Sequence, residues 1–235
     1  MITGATSGIG EALLAKYHAE GHHVIACGRN KDKLAQFAQQ YNHLETLAFD
    51  ITNTDEIAAA AHQISSVDIL VLNAGDCAYI DDVMAFDGDV FANIININLI
   101  SVGYLLQYFL PKLSAGSQLV FISSSATILP FPKAQAYGAS KAGIDYLANS
   151  LRVDLHAHNI DVTLVHPGFV KTPLTNKNTF NMPFMISSDK AANTIYQAVV
   201  KRKDYLHFPK RLTITLKVIA LLPSKVWLWL AKKSA

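Results

Sequence analysis

The stretch Thr3-Gly4-Ala5-Thr6-Ser7-Gly8-Ile9-Gly10, "TGATSGIG", joins a very short apolar run to a segment patterned as a helix, and its reading decides the fold. Glycines at a strand-to-helix junction let a backbone turn tightly and approach a ligand closely. Helix N-terminal amides and the macrodipole at that point favour an anion such as a pyrophosphate. Taken alone, such a turn reads first as an ordinary tight loop; its weight comes from the pattern that follows it.

Short apolar runs alternate with longer amphipathic segments along the chain. The runs at 23–27, 46–49, 69–72, 119–122 and 162–165 predict buried strands. The segments at 10–20, 31–40, 55–64, 91–110, 137–158 and 189–200 predict helices, with Gly21 and Pro111 as stops. This rhythm is that of a doubly wound parallel sheet with helices on both faces. No repeat, low-complexity tract or interdomain linker interrupts it, and 235 residues with 51% hydrophobic content suit a single α/β domain over 1–235. The longest stretch without periodicity, 167–188, reads as a lid or binding loop.

Charge and cysteine usage exclude several classes. A net charge of +2 with 16% charged residues argues against a nucleic-acid binder. Cys27 and Cys77 have neither metal-ligand spacing nor a disulfide framework, so no metal is expected. The opening residues turn at once to glycine and hydroxyl side chains, unlike a secretion signal, which makes a reducing cytoplasm the expected setting.

A second stretch, "AYGASKAG" at 136–143, sets Tyr137 one helical turn before Lys141. Residues four apart on a helix are neighbours with Cβ atoms ~6 Å apart, so the two heads share one small volume. A free phenol titrates near ~10, and a nearby cation would bring it down towards neutral pH. On spacing alone the pair reads first as a solvated helix face.

Taken in order, "TGATSGIG", "LNAG" at 72–75, "NIN" at 96–98, "ISSS" at 122–125, "YGASK" at 137–141 and "HPGFVKTP" at 166–173 resemble the short-chain dehydrogenase/reductase family. The resemblance runs from residue 3 to 173 and implies a Rossmann-like fold. Extended members usually carry T-G-x-x-G-x-x-G, so the spacing of Gly4, Gly8 and Gly10 points to the compact oxidoreductase branch. Two departures stand out: only Met1 and Ile2 precede Thr3 in the first strand, and the usual N-N-A-G reads Leu72-Asn73-Ala74-Gly75.

The resemblance implies a mechanism and assigns its residues. Tyr137 is the general acid/base, Lys141 lowers its pKa and holds the nicotinamide ribose, Ser124 polarises the carbonyl, and Asn98 supports a proton relay. Ser124 is preferred because the family's serine usually lies thirteen residues before the tyrosine, and Ser123 and Ser125 would point to the opposite face. The cofactor side comprises Gly4, Thr6, Ser7, Gly8, Ile9 and Gly10 of the first turn, Asp50 beside the adenine, Asn73, Ala74 and Gly75, with Tyr137 and Lys141. Pro167, Gly168, Val170 and Thr172 follow at the nicotinamide end. Asn73 is expected mainly to stabilise the central sheet, and His166 to be a strand-end residue with no proton to move. The expected activity interconverts a carbonyl and an alcohol on a small molecule, with specificity set by 172–188 and the tail, in a homo-oligomer. The rival class is a nucleotide-binding redox sensor acting through a protein partner; sensors of that kind commonly lose the tyrosine or lysine, and both remain here.

The cofactor expectation is NADP(H). NAD-preferring relatives place an acid at the end of the second strand, where it accepts from the ribose 2′-hydroxyl. Here that place is Gly28, and Arg29 follows with a guanidinium suited to a 2′-phosphate, worth ~2–3 kcal/mol.

The segment 201–235 reads as a basic, apolar C-terminal extension, with nine Lys/Arg against the single acid Asp204. Pro223, Lys217 and Lys225 interrupt its apolar run and argue against a spanning helix. The leading expectation is a terminal element covering the substrate side or a subunit contact. The alternative is peripheral membrane contact through Trp227, Trp229 and the flanking lysines.

Overall fold

A computed structural model describes residues 1–178 and 180–234, with the side chains of Lys233 and Ser234 outside the description. Seven parallel strands form one sheet in the order β3-β2-β1-β4-β5-β6-β9. These are β1 (Ile2–Thr3), β2 (Val24–Gly28), β3 (Leu44–Ala48), β4 (Ile69–Leu72), β5 (Gln118–Ile122), β6 (Asp161–Pro167) and β9 (Tyr205–Phe208). A small parallel pair, β7 (Val170–Lys171) and β8 (Ile186–Ser187), lies in the loop after β6. The strands expected from the apolar runs form within about two residues of their predicted places. The edge strand β9 was not expected: the first part of the basic extension completes the sheet, with Leu164↔Tyr205 to Pro167↔Phe208 in register with β6.

Alternation along the central strands builds two cores, because successive strand side chains face opposite sides and both faces here are covered by helices. Leu119 and Phe121 of β5, with Leu70 and Leu72 of β4, pack with Phe109 and Ile144 on one face. Val120, Ile122 and Val71 pack on the other, with Leu13, Leu14 and Ile195. The first layer comprises α3 (Thr54–His62), α5 (Ser101–Phe109) and α6 (Gln135–His156); the second comprises α1 (Gly8–Ala19), α2 (Lys31–Gln40) and α7 (Ser188–Val200).

The expected helix 91–110 is three pieces: α4 (Gly88–Ile95), a π-helical segment Asn96–Ile100, and α5. Asp87 caps α4 by accepting from the Val90 amide. The stretch Gly88–Lys112 is long and apolar enough to cross a membrane by length and composition, yet it packs against α3 and α6. The chain winds outward from β1 to β3 and returns to β4, so β1 and β4 flank the point where strand order reverses. A crevice opens there, at the carboxyl ends of the strands.

Candidate active site

The crevice is a cleft of about 520 Å³. Gly4, Thr6, Ser7, Gly8, Ile9, Arg29, Asp50, Asn73, Ala74, Gly75, Ser124, Tyr137, Lys141, Pro167, Gly168, Val170 and Thr172 all border it. Gly10 and Asn98 do not line it; each acts from behind.

The glycine turn shows why those residue types are needed. Gly8 has φ +57°, a region that L side chains rarely adopt, and a Cβ there would stand 3.0 Å from the Thr172 methyl. A Cβ on Gly10 would meet the Gly4 carbonyl oxygen at 2.2 Å, so only glycine lets α1 start this close to β1. Ser7 occupies the N-cap without a side-chain cap bond, which leaves the first amides of α1 to a ligand in the cleft. The turn therefore fits a pyrophosphate. Thr3, which the sequence reading did not single out, clasps the opposite wall: its Oγ1 accepts from the Asn73 and Ala74 amides at 3.0 and 3.1 Å. Asn73 Nδ2 donates to the Thr3 carbonyl at 2.9 Å, which is the sheet-stabilising part expected of it.

At the second strand, the Arg29 guanidinium reaches Asp50 at 3.3 Å. Burial pushes the Asp50 carboxyl up, but hydrogen bonds from the Thr52 amide and hydroxyl, joined by Arg29, outweigh it and hold the group below the usual range. The neighbouring Gly28 is more than a place without an acid, because a Cβ there would meet the Thr6 methyl at 2.8 Å.

The other end of the cleft is buried. Lys141, only 6% exposed, donates from Nζ to the Ile122 carbonyl at 2.9 Å and lies 5.9 Å from the Tyr137 ring centre. Ser124 caps a short 3-10 turn, its hydroxyl accepting from the Ala126 amide at 3.1 Å, and it lies near enough to the Tyr137 phenol to favour the phenolate. The expectation that Lys141 lowers the phenol is corrected in the chain itself. Burial, joined by the nearby Cys77, pushes Tyr137 up to about 12 and outweighs the downward pull of Ser124. Burial likewise brings Lys141 down to about 8, opposed by Asp145.

Asn98, 1% exposed, sits in the π-helical segment, whose extra residue turns its amide inward. It accepts from the Asp76 amide at 2.8 Å and donates to the Asp76 carbonyl and Ser140 Oγ at 2.8 and 2.9 Å. It thus ties the loop after β4 to the helix that carries Tyr137 and Lys141.

Behind Lys141 runs a network that the sequence reading missed. Ser123 borders the cleft, but its hydroxyl donates to Asp145 Oδ1 at 2.5 Å. Asp145 Oδ2 lies 2.9 Å from His166 Nε2, within ion-pair range though off the hydrogen-bond line. His166 Nδ1 meets the Tyr205 hydroxyl at 2.9 Å, so the histidine serves this network and does not border the cleft. Only the motif position of His166 was visible beforehand; its partners are 21 and 39 residues away.

The long loop is held over the cleft by side chains. Lys177 pairs with Asp76 at 3.1 Å, Tyr79 Oη donates to Asn178 Oδ1 at 2.9 Å, and Phe180 meets the rings of Tyr79 and Phe169. Thr179, within that loop, lies outside the described residues. The tail forms α8 (Lys210–Ala220) and α9 (Ser224–Ser234), and Trp227 Nε1 donates to the Pro130 carbonyl at 2.8 Å. It therefore covers the segment that follows Ser124.

The profile described as "short chain dehydrogenase" matches residues 1–182. A 3-oxoacyl-[acyl-carrier-protein] reductase of Rickettsia bellii is 33% identical over 75% of this chain and 74% of its own length. A serine 3-dehydrogenase of Agrobacterium fabrum is 31% identical over 83% and 85%. An uncharacterized oxidoreductase of Myxococcus xanthus is 29% identical over 97% and 93%. Among solved structures, a closed serine dehydrogenase complexed with NADP+ shares the fold with a TM-score of 0.78 at 24% identity, covering 88% of this chain and 92% of that one. A short-chain dehydrogenase/reductase from Burkholderia phymatum in complex with NAD does so with a TM-score of 0.82 at 20% identity, covering 92% and 90%. With the profile matched over most of the chain and the glycine turn, serine, tyrosine and lysine gathered in one cleft, this chain belongs to the short-chain dehydrogenase/reductase family of oxidoreductases.

Proposed function

We propose that the protein is an NADP(H)-dependent oxidoreductase that interconverts a carbonyl and an alcohol, with Tyr137 as general acid/base. The observation that carries this reading is the gathering of Ser124, Tyr137 and Lys141 at one end of a cleft whose far end is the glycine turn and Arg29. The chemistry supplied by a bound nicotinamide is hydride donation or acceptance. The glycine turn, Lys141 and the 167–172 segment, which line the cleft, would hold the cofactor that carries it.

The chain's own residues do the rest. In reduction, negative charge grows on the carbonyl oxygen, and the Ser124 and Tyr137 hydroxyls donate to that atom where the charge develops. The Tyr137 O–H bond breaks as the alcohol O–H forms, and the phenolate left behind is favoured by Ser124. A phenol held near 12 keeps its proton at neutral pH until the oxyanion calls for it. Asn98 fixes the helix that presents both groups. The intact tyrosine and lysine support an enzyme over a redox sensor.

Preference for NADP(H) rests on Arg29, on the absence of an acid at Gly28, and on the N-terminus of α2, whose cap Asn30 also borders the cleft. The NADP+ complex of the serine dehydrogenase supports this assignment and the NAD complex of the second relative argues for testing it. Homo-oligomerisation is supported by apolar side chains on the outer faces of two helices. Ile100 and Tyr104 are 47% and 38% exposed at one-turn spacing, and Tyr146 and Val153 are 81% and 75% exposed two turns apart on α6. Light scattering of Tyr146→Glu should show dissociation; an unchanged mass would remove this face from the interface. The activity itself is tested by consumption of NADPH and NADH against a panel of aldehydes, ketones, sugars and steroids. Turnover with at least one carbonyl, faster with NADPH, is expected; no turnover together with cofactor-dependent capture of a protein partner would favour the sensor.

A further inference from the structure

Helix α8 is apolar on two opposite faces. Leu212, Leu216 and Ile219, at i, i+4 and i+7, face inward onto Leu129 and its neighbours beside the cleft. Ile214, Val218 and Leu221 repeat the same spacing on the opposite side and are 51%, 55% and 86% exposed. A helix that only roofs a site needs one apolar stripe, with charged residues opposite it.

The following helix repeats the arrangement. Trp227 points inward to Pro130 and Phe131, whereas Leu228 and Trp229 are 52% and 56% exposed. Lys225 and Lys232, three residues before Leu228 and three after Trp229, lie on that outer face and are exposed. Lys210 and Arg211 open α8 and are exposed as well, and no acidic residue follows Asp204 in the whole sequence.

We propose that the outer face of the α8–α9 hairpin docks on an anionic lipid bilayer. Apolar side chains of this size enter the boundary between headgroups and acyl chains, while lysines on long aliphatic stems keep their ammonium groups at the anionic surface. A second copy of this chain is the less suited occupant, because a two-fold contact would bring two cationic faces together with no acid to offset them. Docking would hold the segment after Ser124 close to the bilayer, since Trp227 and Leu212 tie the hairpin to it.

The test is co-sedimentation of the full chain with vesicles of phosphatidylcholine alone and of phosphatidylcholine with one-quarter phosphatidylserine. Binding to the anionic vesicles, at least about tenfold tighter than to the neutral ones and weakened by salt, is expected. The Ile214→Glu/Leu221→Glu double variant should lose about tenfold or more while keeping the wild-type melting temperature; Lys225→Glu/Lys232→Glu, which leaves the apolar stripe intact, should lose the preference for phosphatidylserine. Absence of wild-type sedimentation in both compositions would overturn the proposal. So would unchanged binding by a folded double variant, or a change in its oligomeric mass without any change in vesicle binding.

Discussion

The two ends of the cleft differ in burial, and burial sets how much each residue matters. At the chemical end Lys141 is 6% exposed, Asn98 is 1% exposed, and each of their polar atoms described above has a named partner. At the far end the Arg29 side chain is 72% exposed and shares a screened contact with Asp50. A buried group removed from such a network leaves its partners unsatisfied, while an exposed one is replaced by water. Effects should therefore be large where the reaction occurs and modest where the cofactor is chosen.

The largest effect should come from Tyr137→Phe, which removes the proton and one of two donors to the developing oxyanion. Turnover should fall by about 10³-fold or more, ~4 kcal/mol, with cofactor affinity retained in fluorescence titration. A fall in affinity that accounts for the loss would make Tyr137 a binding residue and blur the contrast between the two ends.

Next in size is Asn98→Ala, which strands the Asp76 amide and carbonyl in a buried site. Urea unfolding should show a loss of about 2–4 kcal/mol. A loss below 1 kcal/mol would show that water replaces this amide, as it does at the exposed end.

Lys141 offers a third probe through pH. Its folded pKa, about 8, is below the unfolded value of about 10.5, so between those values the unfolded chain keeps a proton that the folded chain has released. Stability conferred at this position therefore rises with pH through that window. The stability of wild type relative to Lys141→Met should move in favour of wild type by about 2 kcal/mol between pH 7.5 and 9.5. A pH-independent difference would mean that the ammonium is solvated.

The smallest effect is expected at Arg29. The sequence reading put the discrimination at ~2–3 kcal/mol, but the exposure of the guanidinium and its contact with Asp50 reduce that to about tenfold. Arg29→Ala should lower the NADPH/NADH ratio of kcat/KM by about that factor. It is a cleaner substitution than Gly28→Asp, whose Cβ would displace Thr6. A ratio unchanged by Arg29→Ala would transfer the choice of cofactor to the N-terminus of α2.

What was legible in the sequence follows the same physical division. The central strands announce themselves as short apolar runs because they are buried on both faces, and the glycine turn and the Tyr137–Lys141 pair are local in sequence. Strand β9 was not legible: Tyr205–Phe208 is short, sits among basic residues, and pairs in parallel with β6, which lies some forty residues earlier. The π-helical turn holding Asn98 was read as part of one continuous helix, since an inserted residue leaves the apolar pattern on either side intact. The Ser123–Asp145–His166–Tyr205 network was invisible because its members come together only once β5, α6, β6 and β9 are in place. The phenol of Tyr137 was expected to be lowered because spacing shows proximity to a charge and not the cost of burial.

The most direct test of the central claim follows the hydrogen itself. With nicotinamide deuterated at C4 and a carbonyl that the protein reduces, the account predicts deuterium on the carbinol carbon of the product in wild type, with formation of that product falling about 10³-fold or more in Tyr137→Phe. Product formed without deuterium at that carbon, or labelled product formed as fast by Tyr137→Phe, would contradict it.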